Sequence, residues 1–308
     1  MKALKIVAAA GLLACGQGKT ATAPPQAPRG LPPWDGRRAF TDSIRFDGLS
    51  RDFIVHLPVG YDHVARKPVV LVFHGSGGNA QGMQTHSGLD AFGDAEGFGI
   101  VYANAVRAWA EDCAGCSAGD ALGIDDLGFV RALVDTLTAN WAIDPARVFA
   151  TGFSQGAMFI QRLACEPGTP VAGIASVGAT LRAATAAVCG QGAFRPRPLS
   201  VLLMHGTLDN TLPAGGRGSG PTGAVSLDSA VAVWRSVDGC GPTPVITFEP
   251  DSSTSPRVRS EAFGGCAPGS RLRLEVLEGL GHEWPRPTLN PSGIDASRII
   301  MDFFTGNR

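Results

Sequence analysis

The sequence predicts an α/β protein whose central sheet is mostly parallel. Predominantly apolar runs of β type occur at residues 69–73, 100–103, 148–151, 174–177, 201–204 and 272–277. Helix-like segments alternate with them at residues 89–96, 126–141, 155–164, 226–237 and 294–304. Strands that are apolar on both faces and alternate with amphipathic helices indicate a sheet covered on both sides. The chain has 308 residues, 44% of them hydrophobic, which is enough for one large core.

The first residues predict an export signal that is not part of the fold. Lys2 and Lys5 precede an apolar stretch at residues 6–13, which is followed closely by Cys15. This pattern is typical of a bacterial lipoprotein signal, cleaved before a cysteine that then receives lipid; the alternative is an ordinary signal peptide with an incidental cysteine. We predict a signal peptide over residues 1–14, lipidation of Cys15, a flexible tether over residues 15–35 and a catalytic domain over residues 36–308.

Charge and composition exclude several classes of partner. The formal net charge of -1 gives no electrostatic basis for binding nucleic acid or an anionic membrane. No apolar run reaches the roughly 20 residues that a membrane-spanning helix needs, so membrane contact is expected only through the lipid anchor. The chain is expected to need no metal and no cofactor.

An antiparallel hairpin is predicted ahead of the parallel strands. The segment SIRFDGLSRDFIVHLP, residues 43–58, has an Asp-Gly turn signal at Asp47 and Gly48 between two strand-like halves. An antiparallel hairpin followed by parallel strand–helix units is the strand order of the α/β-hydrolase fold, which we therefore predict.

A Gly-Phe-Ser-Gln-Gly sequence at residues 152–156 joins the apolar run 148–151 to the helix-like segment 155–164. Glycines two residues before and after Ser154 fit the G-x-S-x-G pattern of a nucleophile elbow, a tight turn that exposes the serine hydroxyl above the strand ends. The positive N-terminal end of the following helix would point at the same place. We predict that Ser154 is a nucleophile.

A serine nucleophile needs a base and an acid, which follow it in the order acid then histidine in this fold. Glu166 is the only carboxylate between Ser154 and the run 201–204, and its position at a helix end suggests a solvated side chain. Asp209 follows that run, at the strand end where catalytic groups gather, although it could simply form a turn. His282 is the only one of the six histidines beyond Asp209. The predicted triad is Ser154, Asp209 and His282.

The glycine-rich segment HGSGGN at residues 74–79 is expected to stabilise a developing oxyanion. It follows the run 69–73, where hydrolases of this kind supply one backbone N–H, and the residue after the nucleophile supplies the other. We predict Ser76 and Gln155 as the two donors, with Gly77 as the alternative to Ser76. A phosphate-binding loop is disfavoured because the segment has neither a G-K-[ST] ending nor a G-x-G-x-x-G pattern.

Six cysteines remain besides Cys15, and in an oxidising compartment they suggest three disulfides. Six cysteines allow 15 connectivities. Sequence order favours neighbouring pairs: Cys113–Cys116, Cys165–Cys189 and Cys240–Cys266. A redox or metal role for Cys113 and Cys116 is disfavoured, since no thioredoxin-like context and no second pair at zinc spacing accompany them.

From about Arg51 onward the sequence resembles the secreted esterases grouped as polyhydroxybutyrate depolymerase-like, feruloyl and acetylxylan esterases. The matching pieces are LVFHGSGGNA, GFGIVYAN, IDDLGFVRALVDTLTANWAIDPARVFATGFSQGAM, MHGTLDN and GLGHEWP. The resemblance implies ester hydrolysis through an acyl-enzyme without metal or cofactor. It also supports the pairings Cys165–Cys189 and Cys240–Cys266.

The active site is expected to be open. Only about twenty residues separate the runs 174–177 and 201–204, too few for the cap domain that many lipases insert there. Trp109 and Trp284 would then form an exposed rim that binds flat sugar or aromatic groups, unless both are packing residues.

The sequence thus predicts a secreted or lipid-anchored serine esterase acting on polysaccharide or polyester. Feruloyl and acetyl esters of plant polysaccharide rank first, and polyhydroxyalkanoate or polyhydroxybutyrate oligomers are the alternative. A peptidase and a catalytically silent binding lipoprotein rank lower.

Overall fold

The computed structural model describes residues 31–190, 199–249, 257–290 and 293–306. The predicted signal peptide, Cys15 and the tether up to residue 30 lie outside these residues. Leu31 and Trp34, which fall within the predicted tether of residues 15–35, pack against the core. None of the described helices is both long enough and apolar enough to cross a membrane.

The described residues form one ten-stranded sheet in the order β1-β2-β4-β3-β5-β6-β7-β10-β9-β8. Its strands are β1 (Ala39–Phe46), β2 (Leu49–His56), β3 (Lys67–Phe73), β4 (Gly99–Ala103), β5 (Ile143–Phe153), β6 (Gly173–Val177), β7 (Ser200–Gly206), β8 (Pro244–Glu249), β9 (Arg257–Phe263) and β10 (Leu272–Glu278). The six strands from β4 to β10 in this order pair in parallel, and two antiparallel strands extend each edge. Each predicted apolar run lies within one of the parallel strands, which confirms the α/β-hydrolase fold.

Eight helices accompany the sheet in the part of the chain that the structure describes. They are α1 (Ala80–Ser87), α2 (Leu89–Glu96), α3 (Ala118–Ala121), α4 (Asp126–Asn140), α5 (Gln155–Ala164), α6 (Ala183–Gly190), α7 (Leu227–Asp238) and α8 (Ala296–Thr305). Between β6 and β7 the described residues hold only α6, so they contain no cap domain.

The apolar runs arise because the sheet has helices on both faces. Along β3, Val69, Leu71 and Phe73 point into one core cluster, which includes residues of α4, α5 and α7. Val70 and Val72 point into a second cluster, which includes residues of α1, α2 and α8. Alternate residues of one strand therefore enter opposite cores, and each must be apolar.

The N-terminal hairpin turns where the sequence predicts. Asp47 and Gly48 both have positive φ, 48° and 74°, as expected for the two central residues of a type I′ turn. At the opposite edge, β8 and β9 form a hairpin that the sequence did not predict. Val245 and Ile246 of β8 are 69% and 50% exposed, and the hairpin lacks the buried apolar run that marked the central strands.

The three disulfides are Cys113–Cys116, Cys165–Cys189 and Cys240–Cys266, as predicted. The second disulfide joins the C-terminal end of α5 to α6. The third joins Cys240, just after α7, to Cys266, just after β9. The first closes a short turn in the loop between β4 and α3, beside the candidate active site.

Candidate active site

Ser154 lies in the tight turn between β5 and α5. Its φ of 56° and ψ of -119° are rare for a residue with a side chain, and such strain is concentrated at functional sites. Both neighbouring glycines are required by close backbone approach. A Cβ at Gly152 would lie 2.6 Å from the Gly156 carbonyl, and one at Gly156 would lie 2.5 Å from the carbonyl oxygens of Phe73 and His74. The turn has the geometry of a nucleophile elbow.

The three residues of the predicted triad are joined by hydrogen bonds. His282 Nε2 lies 3.0 Å from Ser154 Oγ, and His282 Nδ1 lies 2.7 Å from Asp209 Oδ2. The Asp209 side chain is fully buried, and its Oδ1 accepts hydrogen bonds from the backbone N–H groups of Thr211 (2.9 Å) and Leu212 (2.8 Å). The carboxylate is thus fixed as an acceptor that can orient the imidazole toward the serine.

The loops after β7 and β10 bring the acid and the histidine together. A Cβ at Gly206, the last residue of β7, would lie 2.4 Å from the carbonyl oxygens of Leu280 and Gly281, so only glycine lets the two loops approach. Leu208 N–H also donates to Leu280 O at 2.9 Å. These contacts fix the distance between the segments that carry Asp209 and His282.

A second histidine, His205 on β7, lies near the acid. Its Nε2 is 3.9 Å from Asp209 Oδ2, and its side chain is 1% exposed. Burial lowers the pKa of His205, although the Asp209 charge opposes this effect. At 2.7 Å, against 3.9 Å for His205, His282 is the imidazole that is hydrogen-bonded to the buried carboxylate.

The glycine-rich loop passes beside the nucleophile. A Cβ at Gly75 would lie 3.2 Å from Ser154 Cβ, and Gly78 N–H donates to Gly75 O at 3.0 Å, which closes a turn around Ser76 and Gly77. Gln155 is the first residue of α5, so its backbone N–H has no acceptor within the helix. The position of the loop is compatible with the predicted donors, and the choice between Ser76 and Gly77 stays a prediction.

Trp109 connects the two segments that carry the predicted donors. Its indole N–H donates to His74 O at 2.9 Å. Its backbone N–H donates to Gln155 Oε1 at 3.1 Å, and its carbonyl accepts from Gln155 Nε2 at 2.6 Å. The Gln155 side chain is therefore engaged in holding the Trp109 loop, while its backbone N–H stays at the helix end.

The predicted tryptophan rim is wrong. Trp109 and Trp284 are both 0% exposed, and neither borders a cavity next to Ser154. The Trp284 indole N–H donates to the buried Ser297 Oγ at 3.1 Å. Each indole N–H has a buried acceptor, which lets the large amphipathic ring pack in the core. No sequence pattern indicates whether a tryptophan side chain points into the core or toward the active site.

Two cavities, each of about 520 Å³, open beside Ser154. The first, called the arginine cavity below, is bordered by Gln155, Met158, Leu212, Arg182 and Arg217. The second, the histidine cavity, is bordered by His74, Met83, His86, Phe153 and His282. Ser76, Ser154 and Thr211 border both. An ester bond at Ser154 would therefore have one cavity on each side.

A buried ion pair supports the arginine cavity. Arg182 Nε and Nη2 donate to the two carboxylate oxygens of Glu111 at 2.9 and 2.8 Å, and Arg182 Nη1 donates to Thr222 O at 2.8 Å. Glu111 is 0% exposed. Sequence reasoning missed this pair, because its members lie 71 positions apart and belong to no motif.

The fold and the hydrogen-bonded serine, histidine and aspartate define the class of protein: a serine hydrolase of the α/β-hydrolase fold. Comparisons with known proteins narrow this class. A family model described as phospholipase/carboxylesterase matches residues 117–218.

Curated relatives and solved structures agree with that match. "Putative esterase NocK" of Nocardia uniformis subsp. tsuyamanensis is 33% identical over 257 residues, which cover 78% of this chain and 72% of NocK. "Feruloyl esterase C" of Emericella nidulans is 29% identical over 227 residues, covering 70% and 72%. The structure of "Acetyl xylan esterase from Aspergillus awamori" shares the fold, with a TM-score of 0.61, 16% identity and coverage of 86% of this chain and 99% of that one. The chain belongs to this carboxylesterase family and is a serine carboxylic ester hydrolase.

Proposed function

We propose that the protein is an exported esterase that removes feruloyl or acetyl groups from plant polysaccharide through an acyl-enzyme. The observation that carries this proposal is the hydrogen-bonded chain from Ser154 Oγ through His282 to Asp209. The substrate class is supported by relatives named as feruloyl esterases and as a bifunctional acetylxylan esterase/xylanase, of which this chain spans 35%.

In the first half of the reaction, Ser154 Oγ attacks the ester carbonyl carbon while His282 Nε2 takes the hydroxyl proton. The tetrahedral intermediate collapses when the bond to the alcohol oxygen breaks, and His282 returns the proton to that oxygen. The acyl group stays on Ser154. Asp209, an acceptor for His282 Nδ1–H, stabilises the imidazolium that forms in this step.

In the second half, a water molecule takes the place of the alcohol. His282 removes a proton from the water, whose oxygen attacks the acyl carbon, and the bond to Ser154 Oγ then breaks with return of the proton to the serine. The negative charge that develops on the carbonyl oxygen in both halves is stabilised by the backbone N–H groups of Gln155 and Ser76, with Gly77 as the alternative.

The triad assignment is tested by Ser154→Ala, His282→Ala and Asp209→Asn, assayed on p-nitrophenyl acetate. Each variant should lower kcat by about 10³-fold or more with unchanged folding, because the three residues act together. Ser219→Ala, on an exposed loop, is the matched control and should keep wild-type activity. Near-normal turnover in Asp209→Asn would show that the acid is misassigned.

A panel of methyl ferulate, acetylated xylan and hydroxybutyrate oligomers tests the substrate class. Higher kcat/KM on the first two supports the polysaccharide assignment. If hydroxybutyrate oligomers were the best substrate, the protein would instead act on polyesters, with the same triad chemistry.

Export and anchoring form a separate part of the proposal. Three disulfides support an oxidising compartment, since such bonds are rare in the reducing cytosol. Cys15→Ser should release the enzyme from membranes without changing its specific activity, because a tether separates the anchor from the catalytic domain. A wild-type protein recovered entirely in the soluble fraction would contradict lipid anchoring at Cys15.

A further inference from the structure

The arginine cavity carries an uncompensated positive charge. Its lining includes Arg182 and Arg217 and no acidic residue. The charge of Arg182 is neutralised by the buried carboxylate of Glu111 beneath it. No such partner exists for Arg217 within the described residues, where its guanidinium contacts a backbone carbonyl and no carboxylate.

Arg217 lies at the exposed edge of this cavity, where its backbone and one guanidinium nitrogen are hydrogen-bonded. Its backbone N–H donates to Ala224 O at 3.0 Å, and Ala224 N–H donates back to Arg217 O at 2.8 Å. Its Nη1 donates to Thr211 O at 2.5 Å, and Thr211 borders both cavities beside the nucleophile. This single backbone acceptor leaves other N–H donors of the guanidinium for a ligand.

The chemistry of the triad indicates which part of an ester enters each cavity. His282 must return its proton to the leaving alcohol, so the alcohol oxygen has to lie near His282 Nε2. His282 borders the histidine cavity and not the arginine cavity, whereas Gln155, the residue after the nucleophile, borders the arginine cavity. The alcohol part therefore belongs in the histidine cavity, and the acyl part in the arginine cavity.

We propose that the arginine cavity binds acyl groups that end in a carboxylate, and that Arg217 selects them. Such substrates are half-esters of dicarboxylic acids, in which one carboxyl group is esterified and the other is free. A guanidinium fork pairs well with a carboxylate, and Met158 and Leu212 supply apolar surface for the chain between the two groups. The proposal rests on the acyl-enzyme mechanism above and adds an anionic acyl class to the feruloyl and acetyl groups.

The test uses two p-nitrophenyl esters with the same leaving group and the same number of acyl carbons: the mono-ester of adipic acid, which is anionic, and the neutral hexanoate. In the wild type, kcat/KM should be higher for the adipate. Arg217→Gln should lower the adipate-to-hexanoate ratio about tenfold, which corresponds to ~1.4 kcal/mol. Arg217→Lys should keep part of the preference, and added salt should weaken it.

Arg286→Gln is the matched control. It removes the same charge from a position close to His86, which borders the histidine cavity and not the arginine cavity. Its adipate-to-hexanoate ratio should stay within about twofold of the wild type. An equal fall in both variants would show that overall charge, and not a site at Arg217, sets the preference, and it would overturn the proposal.

A second pair of substrates tests the orientation. In 4-acetoxybenzoate the carboxylate is in the alcohol part, and phenyl acetate is its neutral counterpart. If Arg217→Gln selectively impaired 4-acetoxybenzoate, the alcohol part would occupy the arginine cavity and the acyl assignment would be wrong. A wild type that hydrolyses hexanoate without preferring adipate overturns only this inference, whereas a wild type inactive on all four esters overturns the proposed function as well.

Discussion

The substitution Trp109→Phe separates the role of Trp109 in packing from its role in holding the oxyanion loop. Phenylalanine keeps an aromatic ring between Phe73 and Phe159, whose ring centroids lie 5.0 and 5.1 Å from that of Trp109. It removes the indole N–H that donates to His74 O. His74 is the first residue of the glycine-rich loop that contains Ser76, so the loss frees one end of that loop.

The contacts that the substitution removes, with the general magnitudes of such contacts, set the size of both effects. A buried carbonyl left without its donor costs roughly 1–3 kcal/mol, and the smaller ring adds about 1 kcal/mol for lost packing. We therefore expect the free energy of unfolding to fall by about 2–4 kcal/mol. Complete removal of one oxyanion donor costs about 10²–10³-fold in kcat. Trp109→Phe should loosen the donor without removing it, so we expect kcat to fall by about tenfold and KM to change by less than about threefold.

Urea unfolding and the kinetics of p-nitrophenyl acetate hydrolysis measure the two effects separately. Trp234→Phe is the matched control: Trp234 of α7 is also 0% exposed, and its indole N–H donates to the buried Gln161 Oε1 of α5 at 3.1 Å and not to the glycine-rich loop. Trp234→Phe should lose stability but keep kcat. A similar loss of stability in both variants with wild-type kcat in Trp109→Phe would refute the positioning role.

Two further predictions concern stability. Gly156→Ala should reduce soluble expression or cost more than about 3 kcal/mol, because its Cβ would overlap backbone carbonyls, whereas Gly215→Ala, with no atom within 4 Å of its Cβ, should be nearly neutral in the same urea titration. Burial lowers the pKa of His74 and of His205, so below about pH 6.5 the unfolded chain binds protons that the folded protein does not, and stability is lost as the pH falls. Each histidine contributes a slope of up to about 1.4 kcal/mol per pH unit between its folded and unfolded pKa values, which urea midpoints at pH 7.5, 6.5 and 5.5 would measure. His205→Gln should flatten this dependence, and an unchanged slope would contradict the assignment.

The sequence predicted most reliably those features that depend on local backbone chemistry or on chain order. The elbow at Ser154 was recognisable because close approach demands glycine on both sides, and the order of acid and histidine then left Asp209 and His282. The parallel strands were recognisable because both of their faces are buried.

The features that the sequence did not reveal depend on tertiary contacts. The edge strand β8 is mostly exposed and its neighbour β9 is mostly half-buried, so neither carries a long apolar run. The burial of Trp109 depends on an acceptor, His74 O, that lies 35 positions away. The pairing of Glu111 with Arg182 spans 71 positions, and an isolated glutamate and arginine at that distance indicate nothing by themselves.

Ser76, Ser154 and Thr211 border both the arginine cavity and the histidine cavity, so the two cavities meet at the nucleophile. On the proposed mechanism the alcohol leaves through the histidine cavity, while the acyl group stays attached to Ser154 in the arginine cavity. The histidine cavity, once the alcohol has left, has room for water or for another small alcohol. Competition between water and dissolved alcohols for that space decides whether the enzyme hydrolyses an ester or transfers its acyl group to a new alcohol.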